Sequence, residues 1–354
     1  MGFKEKINTV RRSIMRSLTE NLGRSNPTEK PGPITNVRRV LICRPNHRLG
    51  NLLLITPLIQ EVSATYPKCK IDLFVKGGIA PEIFRNYNNI NTIIELPKKP
   101  FKEPLQYLKS WSKIRKTDYD LVINADKKSS SGRLSAKYSR SRFKLFGDTL
   151  SESVALMFCD FEHLAKTSVY DFRFAISQQS VFEWNEKVPN LDLKLDLSEI
   201  SHGRRILKKI APEDKKVISL FTYASGEKCH STEWWEEFYE KVRLSFLDHT
   251  IIEILPAENV SQIGFKAPTF YSRDIREIAS VIANTAVFIG ADSGIMHLAS
   301  ASKIPVVGLF NVTNPLKYGP YNNNSFAIET EYDDMENIID VLDTILRHRL
   351  NNWR

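Results

Sequence analysis

Short apolar runs alternate with amphipathic stretches over most of this chain, and the alternation starts twice. From Val37 onward, Val40-Leu41-Ile42 reads as a buried strand, followed by a helix from about Gly50 to Tyr66. Ile71-Asp72-Leu73-Phe74-Val75 is the next strand, Gly77-Gly78 turns into a helix near Pro81, and Ile90 to Leu96 forms a third strand. A helix around Leu105 to Ile114 and the strand Leu121-Val122-Ile123 continue the series. The pattern weakens between Ser151 and Ser201 and then restarts with Val217-Ile218-Ser219-Leu220-Phe221. A helix from Thr232 to Leu247, a strand at Ile251 to Leu255, a helix from Arg273 to Asn284 and a strand at Val287-Phe288-Ile289 follow. Pro305 to Phe310 is a further strand, and a last amphipathic helix covers about Asp333 to Leu350. Continuous apolar strands alternating with helices mean parallel sheets covered on both faces. The expected fold class is α/β, with two doubly wound, Rossmann-like domains facing a cleft, one over 37–190 and one over 191–354.

Residues 1–36 follow a different rule. Phe3, Ile7, Val10, Ile14, Leu18 and Leu22 recur at helical spacing, with Lys4, Lys6, Arg11, Arg12 and Arg16 on the other faces. Such a helix can lie in a membrane interface against anionic headgroups, or pack on the body of the protein, and both need the same stripe. Ser25 to Asn36, with Pro27, Pro31, Gly32 and Pro33, reads as a linker.

The chain has 354 residues, enough for two domains with substantial cores. There is no apolar run of ~18 residues or more, so no transmembrane helix is expected, and no secretory signal is recognisable. Cys43, Cys69, Cys159 and Cys229 lack metal-site spacing, which favours a reduced, cytoplasmic setting. A formal net charge of +9 points to anionic partners without choosing among them. Nucleic acid fits poorly, because aromatic residues are not interleaved with the basic ones and no recognition motif is present. Asp118-Tyr119-Asp120 has the outline of a D-x-D metal motif but reads as the start of a strand, so no metal and no cofactor are expected.

Chemistry concentrates in loops at strand ends, where doubly wound sheets bind ligands. Asp292-Ser293-Gly294-Ile295-Met296-His297 joins a strand to a helix; its free amides and the positive helix end suit an anion such as a diphosphate. An ordinary N-cap uses the same residue types. The loop Thr222 to Lys228 adds hydroxyls at Thr222 and Ser225 and a point charge at Lys228. The loop Arg44-Pro45-Asn46-His47-Arg48-Leu49-Gly50-Asn51 follows the first strand.

These motifs, in this order, resemble glycosyltransferase family 9, the group containing the lipopolysaccharide heptosyltransferases. Arg48-Leu49-Gly50-Asn51-Leu52-Leu53-Leu54-Ile55-Thr56-Pro57 is similar to the family's R-L-G-D-x-L-L-x-T-P, and Asp292 to Ala299 to its D-S-G-x-x-H-L-A. Pro305 to Phe310, Thr313, Pro315 and Gly319-Pro320 continue the resemblance, which spans roughly Val37 to Leu346. It implies a GT-B architecture and metal-independent, inverting transfer from a nucleotide-diphosphate sugar, with ADP-heptose as the first candidate, to a lipopolysaccharide-core acceptor. By resemblance, Lys228, Asp292, Ser293, Gly294 and His297 hold the donor phosphates, with His297 a cation or a hydrogen-bond partner, and Glu258 stands where a ribose-binding acid is often found. Thr222 and Ser225 complete the donor side. Arg48, Lys128 and Arg133 are the candidates for contact with an anionic glycolipid acceptor, and a peripheral contact with the inner face of the cytoplasmic membrane is a further expectation.

One position departs from the family pattern. The aspartate assigned as catalytic base is replaced by Asn51, an amide without useful basicity. Either His47 or Asp126 serves as base, or the reaction is dissociative with late proton loss, or the protein binds a sugar nucleotide without transferring it. A membrane-attached scaffold role is a further alternative, resting on residues 1–22.

Overall fold

In a computed structural model, residues 17–19, 22, 34–150, 158–177, 187–321 and 324–351 are described. The chain divides into two compact units. The first comprises Met1–His47, Ile55–Pro81 and Tyr87–Pro189, and the second Arg48–Leu54, Glu82–Asn86 and Asn190–Arg354. The division near residue 190 therefore carries two short segments of the N-terminal half with the second unit.

The first unit holds a parallel sheet of β1 (Arg39–Arg44), β2 (Lys70–Lys76), β3 (Ile90–Leu96), β4 (Asp118–Asn124) and β5 (Arg140–Leu145), in the order β3-β2-β1-β4-β5. Val40 to Cys43 and Leu121 to Ile123 are buried throughout, as strands covered on both faces must be. The outline of a D-x-D motif falls in β4: Asp118 pairs with Arg140, and Asp120 accepts the amides of Arg38 and Arg39.

In the second unit, β6 (Lys216–Phe221), β7 (His249–Ile254), β8 (Thr269–Phe270), β9 (Val287–Ala291), β10 (Val306–Phe310) and β11 (Phe326–Glu329) form a second parallel sheet in the order β11-β10-β9-β6-β7-β8. Both sheets grow outward in two directions from their first strand. The order reverses between β1 and β4 in one and between β6 and β9 in the other, the two places where such sheets open a crevice.

The helix expected from Gly50 to Tyr66 is two helices, α1 (Leu49–Leu53) and α2 (Thr56–Thr65). Pro57 has no N–H to give the Leu53 carbonyl, so the ladder breaks there. The segment read only as a basic stretch after β4 forms α3 (Ser130–Tyr138) and the edge strand β5, and Ser129 Oγ caps the helix by accepting from Gly132 N. The weakly patterned region supplies α4 (Leu164–Ser177) and α5 (Leu197–Ile210), the latter opened by a capping box between Asp196 and Glu199. The N-terminal amphipathic stripe lies outside the described residues except for helical Ser17–Thr19 and Leu22. There the carbonyls of Thr19 and Leu22 accept from Arg133 Nε, at 3.0 and 3.1 Å. Among the described residues no helix is long and apolar enough to cross a membrane.

Candidate active site

At the crevice of the second sheet, two loops meet over the ends of β6 and β9. The loop after β6 ends in a 3-10 turn at Gly226–Lys228, with Gly226 at φ +67°, a backbone that favours glycine. Asn311 Nδ2, from the loop after β10, donates to Glu227 O at 2.9 Å and pins this turn. Asp292 follows β9 directly and is buried. Its Oδ2 lies 2.5 Å from Lys228 Nζ and also accepts the hydroxyl of Thr313. The lysine is a third exposed, and its ammonium stands 5.8 Å from the centroid of the Tyr318 ring. A buried carboxylate therefore fixes a partly exposed cation at the sheet's switch point.

On the other side of this crevice Ser293 caps the helix Gly294–Ala301 through its Oγ, which accepts from Met296 N at 3.3 Å. The cap engages one amide, and the first turn of the helix keeps its positive end. Glycine at 294 is a packing requirement: a Cβ there would stand 3.2 Å from Leu49 Cβ and 3.4 Å from Gly50 N. Gly50 is tighter still, because its Cβ would lie 2.6 Å from His297 Cδ2. The N-terminal turn of α1 thus rests on that of the Gly294 helix, within one unit, and brings Asn51 into the same neighbourhood. His297 is buried, and desolvation pushes its pKa down to about 4, with Asp292 opposing and Lys228 reinforcing the shift. Burial therefore favours the neutral imidazole, the hydrogen-bonding form of the two expected roles.

Thr222 is also buried, but its hydroxyl is committed. It donates to Glu253 Oε1 at 2.7 Å and accepts from Gln262 N at 3.2 Å. Ser261 Oγ donates to the other Glu253 oxygen at 2.6 Å, and burial raises the pKa of this fully enclosed carboxyl. Ser225 and Glu258 are exposed, Glu258 in a turn closed by Asn259 N donating to Pro256 O. Sequence reasoning missed Glu253 as an organiser of these loops and gave Thr313 no role. The signal for the first was present: a lone acid inside the apolar run Ile251 to Leu255 must find partners.

In the first unit, the equivalent crevice lies between β1 and β4. Arg44, at the end of β1, is buried and paired with Asp126 after β4, and Asp126 Oδ1 also accepts Lys128 N at 2.9 Å. His47 and Lys128 of this unit are exposed, and so is Arg48, which opens a segment of the second unit. Arg133 differs from the acceptor contact expected of it. It is 3 % exposed, pairs with Asp148 at 2.7 Å and donates to the Thr19, Leu22, Lys127 and Phe146 carbonyls. A guanidinium so engaged holds the protein together and has little left for a ligand. Among the described residues no three His, Cys, Asp or Glu side chains are grouped to hold a metal ion.

Residues 272–339 match the model of glycosyltransferase family 9 (heptosyltransferase). The chain is 24 % identical over 301 residues to lipopolysaccharide heptosyltransferase 3 of Escherichia coli (strain K12), covering 78 % of this chain and 83 % of that protein. Its fold is similar to the glycosyl transferase family 9 structure from Veillonella parvula DSM 2008, at TM-score 0.69 and 15 % identity over 88 % of this chain and 97 % of that one. It is also similar to E. coli heptosyltransferase WaaC with ADP, at TM-score 0.63 and 15 % identity over 88 % and 99 %. Sheet topology and these similarities agree: the chain has a GT-B fold and is similar to the heptosyltransferases of glycosyltransferase family 9.

Proposed function

We propose that this protein is an inverting, metal-independent glycosyltransferase that moves a heptose or related sugar from a nucleotide-diphosphate donor, ADP-heptose first among them, to a lipopolysaccharide-core acceptor. The observation that carries the reading is the Lys228–Asp292 pair at the switch point of the second sheet, next to the first turn of the Gly294 helix. In the reaction an acceptor hydroxyl attacks the anomeric carbon, the bond from that carbon to the phosphate oxygen breaks, and the hydroxyl proton departs. Charge then grows on the terminal phosphate of the leaving nucleotide. Lys228 and the amides of the helix turn stabilise that charge electrostatically. Asp292 acts as a positioning residue, because its carboxylate would repel a phosphate but holds the ammonium in place. His297, neutral, serves as a hydrogen-bond partner.

Asn51 supports a second reading, a protein that binds a sugar nucleotide without transferring it, since the amide cannot take the acceptor proton. In the enzyme reading Asn51 orients the acceptor hydroxyl, and His47 or Asp126 takes the proton. Arg48 and Lys128 are the acceptor-side cations, and the protein works at the cytoplasmic side of the membrane. The test is release of nucleoside diphosphate by the purified full chain, given ADP-heptose and a truncated lipopolysaccharide core. Release that requires both substrates and falls in Lys228→Ala supports transfer. Donor binding without release supports the silent reading, and no donor binding overturns both.

A further inference from the structure

We propose that the solvent face of the helix Pro104–Lys116, with the turn before it, is a docking surface for an anionic lipid bilayer. The proposal involves no part of the donor site and stands or falls separately from the transferase reading. The inner face of this helix packs on the first unit. Ile114 is buried, Tyr107 and Trp111 pack on the core of the first sheet, and Ser110 Oγ donates to Glu95 O at 2.7 Å. Trp111 meets Phe74 edge-on, with ring centroids 5.4 Å apart. An ordinary surface helix would then be polar outside. This one places Leu105 and Leu108 there, 82 % and 63 % exposed, and Phe101 in the preceding turn is 92 % exposed.

Cations flank those apolar side chains. Between residues 98 and 116 the sequence has seven Lys or Arg and a single acid, Glu103. Lys109 and Lys116, seven residues apart in the helix, lie on one side of it, and Lys102 is exposed in the turn before it. Among the described residues none of the seven is ion-paired with a carboxylate. An exposed apolar patch rimmed by free cations calls for a partner that is apolar and anionic together. A second copy of the chain would set seven cations against seven. A nucleic acid or an acidic protein would match the charge and leave Phe101, Leu105 and Leu108 without an apolar partner. A bilayer surface matches both: the three side chains enter the headgroup–acyl boundary while the lysines extend to anionic headgroups.

The experiment is sedimentation of the full chain with vesicles of phosphatidylethanolamine and phosphatidylglycerol, and with phosphatidylcholine vesicles alone. Wild type is expected to bind the anionic vesicles and not the zwitterionic ones. Phe101→Ser/Leu105→Ser/Leu108→Ser and, separately, Lys102→Glu/Lys109→Glu/Lys116→Glu should each weaken partitioning by about tenfold or more. Hydrogen exchange of residues 98–116 in wild type should slow when anionic vesicles are added, a readout that does not depend on any variant folding. Unchanged partitioning of both variants with unchanged exchange would overturn the proposal and leave membrane binding to another part of the chain. No binding by wild type, or a dimer that the serine variant dissolves without loss of lipid binding, would overturn it as well.

Discussion

Lys228 and Asp292, sixty-four residues apart in sequence, are joined by a 2.5 Å contact across the switch point of the second sheet. The first sheet has a counterpart, Arg44 at the end of its first strand paired with Asp126 after its fourth. In each sheet the central strands are thus tied at their C-terminal ends by a cation and a carboxylate. The difference lies in exposure. The Arg44 side chain is 5 % exposed, whereas that of Lys228 is 33 % exposed and can reach a ligand.

Lys228→Ala should lower donor affinity by about ten- to a hundredfold, the scale of one charge-assisted hydrogen bond to a phosphate. Asp292→Asn should produce a similar loss although Lys228 itself is retained, because the ammonium and the Thr313 hydroxyl lose the carboxylate that holds them. Calorimetric titration of both variants with nucleoside diphosphate checks this. Wild-type affinity in Lys228→Ala would remove the lysine from the donor site.

Gly50→Ala should destabilise the second unit by about 1–3 kcal/mol, as overpacking does, because the added methyl would stand 2.6 Å from His297 Cδ2. Combining it with His297→Ala should recover part of the loss, since the clashing ring is gone. Additive losses in thermal melts of the two single variants and the double variant would show that α1 and the Gly294 helix do not press on each other.

The buried His297 gives stability a definite pH dependence. Its folded pKa of about 4 lies below the value of an unfolded histidine. Between about pH 6.5 and 4 the unfolded chain binds a proton that the folded one refuses. Its contribution is therefore fully present above pH 6.5 and is lost as pH falls through 4, with a slope of about 1.4 kcal/mol per pH unit inside the window. His297→Gln should lack that slope. The difference between wild-type and variant unfolding free energies, measured by denaturant titration across this range, reads it directly; a difference independent of pH would contradict a neutral, buried imidazole.

Asn51→Asp should raise the transfer rate by about tenfold or more without changing donor affinity, by supplying the carboxylate base that the amide cannot replace. An unchanged rate, measured at saturating donor, would point to His47 or Asp126 as the base in the wild-type protein.

Thr222→Val keeps the shape of the side chain and removes its hydroxyl, leaving Glu253 Oε1 and Gln262 N without that partner. The cost should be about 1–3 kcal/mol in a thermal or denaturant melt. A variant as stable as wild type would mean that solvent reaches Glu253.

Much of the fold was legible because strands covered on both faces must be apolar along their length. Val40 to Cys43, Val217 to Phe221 and Val287 to Ile289 announce themselves for that reason. The edge strand Arg140–Leu145 does not, since its sequence RSRFKL is half charged and its outer positions stay accessible. The loops that carry Thr222, Lys228 and Asp292 were legible through topology: polar residues just beyond a buried strand sit at the C-terminal edge of the sheet. What those residues do there was less legible. Thr222 looked like a ligand donor because its hydroxyl is polar and strand-terminal, but Glu253 claims it from the neighbouring strand. Arg133 looked like one more surface cation in a basic stretch. Only the folded chain gathers four carbonyls and Asp148 around its guanidinium.

The second unit is not a single stretch of chain. It borrows Arg48–Leu54 and Glu82–Asn86 from the N-terminal half. The first presses Gly50 against His297, and the second offers the Glu82 carbonyl to the buried Arg276, whose guanidinium also grips Glu199 at 2.5 Å. A fragment beginning at Asn190 would therefore uncover the His297 face and strip a partner from a buried cation. Dissecting this protein at its apparent midpoint would not yield a working C-terminal half, and exchanging that half with a relative's would require moving both borrowed segments with it.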